Sequence, residues 1–534
     1  MKPERGTFGV ARWMLGAVIL AGAGAGGRPA EAGGGHTLVL TDRGLVRGVE
    51  TADVRAFRGI PYAAPPTGGA RWQPPGPVAR WEGVRDASAF APHCAQPASP
   101  FGTASVSEDC LYLNVYTPKD GFLHRDLLRG HPVMVWMHGG ALLVGESDGY
   151  DPTRLVDAGD VIVVTINYRL GALGFMAHSA LTAESPDHVS GNYGLLDQQA
   201  ALRWVQRNIA RFGGDPHRVT IFGESAGGSS VTAHLASPLA AGLFQRAIVE
   251  SGAYLLAPST LAVGEERGQA LADRAGCPDQ TAACLRALPV PTLLANQGPS
   301  PSAQPVIDGL VLTQAPRTAF ESGQFNQVPV LEGSNHDEWR LFVALNIELV
   351  AGPVTPEGYP AAIAATLGIP EAATAPFAAE YPLEDHASPG EALAALGTDG
   401  VFACNARRAE LLLSAHVPTY AFEFNDEDAP QRFLPPVSFP YGAYHAAEVQ
   451  YLFDSPSRVP SEPLDQDQQQ LAAAMVDYWT TFARTGQPNR PGRRFWPRFR
   501  ADSERVLSLD TPARAVETDF AADHHCDFWA ALGR

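Results

Sequence analysis

The sequence is poor in charge, and poorer still in positive charge. Charged residues fill 18% of its 534 positions, with 39 Lys and Arg against 57 Asp and Glu, a formal net charge of −18. That balance argues against a nucleic-acid partner and against an anionic membrane surface. After Gly26 no stretch reaches about 18 uninterrupted apolar residues, which removes a membrane-spanning helix from the body of the chain. No two of the six cysteines stand at CxxC spacing, so no metal site is read from them. No internal repeat is present. What the chain does hold is a 45% hydrophobic fraction, a globular composition with ample length to bury a core. Its 53 Gly and 45 Pro imply many turns and long surface loops.

The N-terminus has the pattern of an export signal. Lys2, Arg5 and Arg12 precede an apolar run from Trp13 to Gly26, and Ala30-Glu31-Ala32 offers a small-x-small cleavage site. Residues 1–32 are therefore read as a signal peptide and 33–534 as the folded domain, exported to the periplasm or the extracellular space. An even number of cysteines in an exported chain suggests disulfides. Nearest-neighbour pairing joins Cys94 to Cys110 and Cys277 to Cys284, leaving Cys404 and Cys526 to each other.

Six runs read as buried strands: Pro132–His138, Val161–Asn167, Val219–Phe222, Ala247–Glu250, Val328–Glu332 and Pro418–Phe424. They are continuous and rich in Val and Ile, as parallel strands covered on both faces are. Between them, Leu195, Leu202, Val205 and Ile209 share one helical face, stopped by Gly213-Gly214. Leu471, Met475, Tyr478 and Phe482 repeat at helical spacing, with Asp465 as a cap and Gly486 then Pro488 as the end. Alternating strands and helices imply an α/β fold built on an open, mostly parallel sheet. The Ala-, Pro- and Glu-rich segment 344–400 is read as an inserted helical cap, with short helices such as Ala361–Leu367.

Two Gly-x-Ser-x-Gly motifs occur, around Ser147 and around Ser225. A nucleophile on this motif needs a sharp strand-to-helix turn that lifts its hydroxyl clear of the backbone. The strand Val219–Phe222 runs into Ser225, and Ala226, Gly227, Gly228 and Ser229 let strand and helix approach. Asp148-Gly149, Tyr150 and Pro152 after Ser147 mark a loop instead. Ser225 is thus the candidate nucleophile. His138-Gly139-Gly140-Ala141, directly after a buried strand, can turn backbone N–H groups toward one point, where with Ala226 they would hold an oxyanion. Such a nucleophile takes its acid and then its histidine from further along the chain. Asp337 and Glu338 are both placed to be the acid. His386, His416, His445, His524 and His525 all follow, and spacing alone does not separate them.

At this point the sequence resembles the type-B carboxylesterases, the family that also includes the cholinesterases and their non-catalytic adhesion relatives. The resemblance rests on Glu108-Asp109-Cys110-Leu111-Tyr112-Leu113-Asn114, on Phe222-Gly223-Glu224-Ser225-Ala226-Gly227-Gly228, on Phe57–Ala63 and Asn167–Leu170, on Gly442–Glu448, and on the closing Trp479–Asn489. It spans residues 37 to 530. It implies an α/β-hydrolase fold and a serine carboxylesterase with Ser225 as nucleophile, Glu338 as acid and His445 as base. By the same resemblance the oxyanion donors are Gly140, Ala141 and Ala226. Ala141 stands where a third Gly is common, and is expected to supply its N–H from an ordinary φ. Asp337 becomes a neighbour without a direct role, and Glu224 and Ser251 become polar residues beside the triad. The disulfides implied are Cys94–Cys110, Cys277–Cys284 and Cys404–Cys526.

The partners implied are a small ester and water, through an acyl-enzyme, with no cofactor and no metal. Cholinesterases carry a choline-binding Trp inside the loop closed by the first disulfide. Here that loop, Ala95 to Asp109, holds only Phe101 as an aromatic, so a general carboxylesterase is expected. Lipase or amidase activity on the same residues is one alternative, and a non-catalytic binding module the other.

Overall fold

The computed structural model describes residues 36–119, 130–298 and 304–533. The expected signal peptide, 1–32, lies outside the described residues. Among the described residues there are fifteen strands: β1 (His36–Leu40), β2 (Leu45–Glu50), β3 (Val54–Pro61), β4 (Val84–Asp86), β5 (Tyr112–Pro118), β6 (His131–Met137), β7 (Ile162–Ile166), β8 (Gly214–Glu224), β9 (Arg246–Glu250), β10 (Ser259–Thr260), β11 (Val306–Ile307), β12 (Val330–Asn335), β13 (Thr419–Phe424), β14 (Val506–Leu509) and β15 (Ala515–Glu517). All but the β10–β11 pair form one sheet, in the order β1-β2-β3-β5-β7-β6-β8-β9-β12-β13-β14-β15, with β4 beside β2. From β7 to β14 every neighbouring pair is parallel, and antiparallel strands flank that block on both sides.

The parallel block explains why its strands read as unbroken apolar runs. β7 and β13 are buried at every residue. Side chains alternate between the two faces, and each face has its own core. Val133, Val135 and Met137 of β6 join Ile162, Leu202 and Val205 in one core. Met134 and Trp136 of the same strand join Phe222, Ile248, Met475 and Phe482 in the other. The helix Tyr193–Asn208 covers the first face and ends through a 3-10 turn at Gly213, whose φ is +91°. The helix Gln466–Thr485 covers the second. Asp465 caps it in a reciprocal box with Gln468, and Gly486 closes it at φ +79°.

Segment 344–400 is a succession of short helices, Tyr359–Leu367, Ala375–Glu380 and Pro389–Gly397 among them. A π-helical turn stands near each end, at Ala344–Glu348 and Thr398–Ala403. All six cysteines are paired, as Cys94–Cys110, Cys277–Cys284 and Cys404–Cys526. The last joins the helix Cys404–Ser414 to the helix Cys526–Ala531. Among the described residues no helix is long and apolar enough to cross a membrane.

Candidate active site

β8 ends at Glu224, and the helix Ala226–Ala236 begins one residue later. Ser225 makes the turn alone, at φ +56° and ψ −119°, a conformation that costs a non-glycine residue about 1–3 kcal/mol. Its backbone is held on both sides: its N–H donates to Glu250 O at 2.9 Å, and its carbonyl accepts from Ser229 N at 2.8 Å. The crossing is so tight that a Cβ on Gly227 would overlap the carbonyl oxygen of Met137. Here lies the physical need for the motif's second glycine. Ser147 has none of this. It sits in a loop, where its N–H donates to Asn167 Oδ1 at 2.9 Å and its hydroxyl accepts from Asn114 Nδ2 at 3.0 Å.

Glu338 opens the helix Glu338–Val343, three residues past the end of β12. One carboxylate oxygen accepts from Asn335 N at 2.9 Å, and the other meets His445 Nδ1 in a short hydrogen bond. His445 Nε2 is buried and makes no hydrogen bond among the described residues. Its nearest carboxylate oxygen, Glu224 Oε1, is 3.0 Å away and misaligned for one. Phe342 and Phe402 flank the imidazole at 5.0 and 4.9 Å between ring centroids. The loop carrying His445 is tied down by Asp337, whose N–H donates to Ala443 O at 3.0 Å and whose carboxylate accepts from Ala443 N at 2.9 Å. Asp337 therefore positions the histidine loop, a role the sequence reading did not give it.

Gly140, Ala141 and Leu142 are three consecutive left-handed residues, at φ +101°, +57° and +60°. The ordinary φ expected for Ala141 is thus corrected. The loop must reverse its N–H groups, and an alanine here bears the strain that a glycine would not. The reversal is pinned where Leu143 N and Val144 N both donate to Gly140 O at 3.0 Å. His138 stacks on Tyr168 beneath this loop, and burial lowers its pKa to about 4, which keeps it neutral. Ala226 presents its N–H at the positive end of its helix.

Below these groups Glu224 and Glu338 are joined by two acids, Glu250 and Glu448, to which the sequence reading gave no role. Glu224, Glu250, Glu338 and Glu448 are all buried. Burial, reinforced by the charges of Glu338 and Glu250, pushes the Glu224 carboxyl well above the usual range. Glu448 is pushed the same way by burial and by the other three acids. Burial raises Glu250 to about 7, against the hydrogen bond that Trp479 Nε1 donates at 2.9 Å. Only tertiary packing brings Glu250 and Glu448 here, so no spacing rule finds them. Ser251 adopts φ +51°, and its N–H donates to Gly333 O at 2.8 Å. Tyr254 was missed as well; it lies near Ser225 and Ser229, and burial together with the charge of Glu224 pushes its phenol pKa up. A hydroxyl on a strained turn, an imidazole oriented by a carboxylate, and a reversed N–H loop together suit acyl transfer.

Residues 35–529 match the model of the carboxylesterase family. The chain is 36% identical to the cocaine esterase of Oryctolagus cuniculus over 499 residues, 88% of this chain and 91% of that protein. It is 38% identical to the fumonisin B1 esterase of Sphingopyxis macrogoltabida over 487 residues, 87% of this chain and 85% of that one. Among solved structures, a PNB esterase aligns with a TM-score of 0.76 at 33% identity, covering 92% of this chain and 99% of the other.

Proposed function

This chain belongs to the carboxylesterase family and is a carboxylic ester hydrolase, and we propose that it works through Ser225, His445 and Glu338. His445 Nε2 takes the proton of Ser225 as the hydroxyl attacks the ester carbonyl. Glu338 holds the imidazole by Nδ1 and stabilises it when charged. The N–H groups of Gly140, Ala141 and Ala226 receive the carbonyl oxygen as it becomes negative; each such donor is worth about 3 kcal/mol of barrier. His445 then protonates the departing alcohol, and water repeats the steps on the acyl-enzyme. The aromatic rings beside His445 favour an ester with an apolar group next to the scissile bond.

The observation that carries this reading is the pairing of His445 Nδ1 with Glu338 while Nε2, 3.0 Å from Glu224 Oε1, keeps no hydrogen bond among the described residues. Export is supported by the three disulfides. The test is hydrolysis of a chromogenic ester by Ser225→Ala beside Ser147→Ala. Ser225→Ala is expected to lose at least about a thousandfold in kcat and all labelling by an organophosphate. Ser147→Ala is expected to keep both. Equal losses in the two variants would overturn the assignment.

A further inference from the structure

A second histidine–carboxylate group lies apart from Ser225. His524 is buried between two acids: its Nδ1 meets Asp399 Oδ1 at 2.6 Å and its Nε2 meets Glu423 Oε1 at 2.5 Å. Asp399 is itself fixed, since Tyr381 Oη donates to its other oxygen at 2.7 Å and Trp529 Nε1 donates to Tyr381 Oη at 2.7 Å. His336 faces His524 with ring centroids 5.5 Å apart. Its side chain is 42% exposed, and its Nδ1 lies 3.4 Å from Asp337 Oδ1 without good hydrogen-bond geometry. One ligating atom from each of His336, Glu423 and His524 falls within 4.8 Å of the others. His336 also belongs to a second such group with Asp337 and Glu427.

We propose that His336, Glu423 and His524 bind a divalent transition ion of the zinc class. Three features point to it. Two imidazoles and a carboxylate are the donor set that zinc takes in preference to calcium or magnesium. A carboxylate on the far nitrogen of a ligating histidine fixes its tautomer and ring orientation, and Asp399 does this for His524. The exposed edge of His336 gives the ion an entrance; on binding His336 rotates inward while His524 Nε2 and Glu423 Oε1, 2.5 Å apart, separate to admit the ion at zinc–nitrogen distances of about 2.0–2.1 Å. On binding, any proton held between His524 Nε2 and Glu423 leaves to solvent. The ion would then join three separate parts of the chain: the residue after β12, the penultimate residue of β13 and the turn before the C-terminal helix. His336 stands two residues before Glu338, so the site adjoins the segment that carries the proposed catalytic acid.

The test is calorimetric titration of the full chain with zinc chloride, without substrate, alongside His336→Ala, Glu423→Gln and His93→Ala. The last variant removes another histidine–acid group, His93 with Glu146 and Asp148. One equivalent of zinc is expected to bind with a Kd below about 10 μM. Affinity should fall at least tenfold in His336→Ala and Glu423→Gln and hold in His93→Ala, and the wild-type melting temperature should rise with zinc. His336 is partly exposed, so its variant is expected to fold. Wild-type protein that binds no zinc at this affinity would overturn the proposal. So would undiminished binding by His336→Ala, or a loss confined to His93→Ala.

Discussion

Glu224 shows how far burial decides what a residue does. It precedes the serine, and its Oε1 lies 3.0 Å from His445 Nε2, yet burial and its acidic neighbours push its carboxyl well above the usual range, toward the neutral form. A neutral carboxyl and an amide have nearly the same shape. Glu224→Gln is therefore expected to keep kcat/KM within about tenfold, a barrier change under about 1.4 kcal/mol. Steady-state ester hydrolysis at pH 7 checks it. A loss beyond about a hundredfold would mean that the group works as an anion. Asp337 carries the complementary lesson. It stands beside the proposed acid, but its carboxylate is spent on Ala443 N and on an ion pair with Arg340 at 3.0 Å. In the one-dimensional pattern Asp337 and Glu338 were equal candidates. The difference between them is which way the first turn of a helix points each side chain.

At the scale of elements, what could be read depended on periodicity. The strands of the parallel block were legible because burial on both faces leaves an unbroken apolar run. Their ends were less so: β8 starts at Gly214, and its first residues, Asp215 to Arg218, are polar or exposed enough to hide the strand. The strands β1 to β5 were not read as strands; β2, for example, alternates buried and exposed residues over too short a length. The strand-to-helix turn was legible from small residues alone, and its geometry makes a firm statement about them. Gly227→Ala would push a methyl group into Met137 O. It is expected to cost at least about 3 kcal/mol by chemical unfolding, near the top of the range for single substitutions. A cost below about 1 kcal/mol would mean the turn has room to relax.

For the whole molecule, acid stability follows from imidazoles that folding keeps neutral. Burial lowers His138 to about 4, and burial, with a smaller contribution from Arg203, lowers His234 to about 3. An unfolded chain protonates both near the ordinary value of about 6.5. The unfolded state therefore binds more protons below that pH, and the stability these groups contribute is full above about 6.5 and drains as pH falls toward 4 and 3. His234 Nε2 pairs with Gln198 Oε1 at 2.8 Å, a contact that an amide can keep. His234→Gln is expected to flatten the slope of unfolding free energy between pH 6.5 and 4.5 by up to about 1.4 kcal/mol per pH unit. Urea titrations across that range measure it. Identical slopes in the two proteins would show that His234 is not the group responsible.

The hydrogen bond from Trp479 to Glu250 ties the order of synthesis to the appearance of activity. The proposed serine, acid and base are all translated before Gln466, yet the helix that puts Trp479 over the carboxyl cluster comes after them. A chain still lacking that helix would own every reacting group above a floor open to water. The carboxyls beneath would then ionise freely, and chemistry would have to wait for the final stretch to dock.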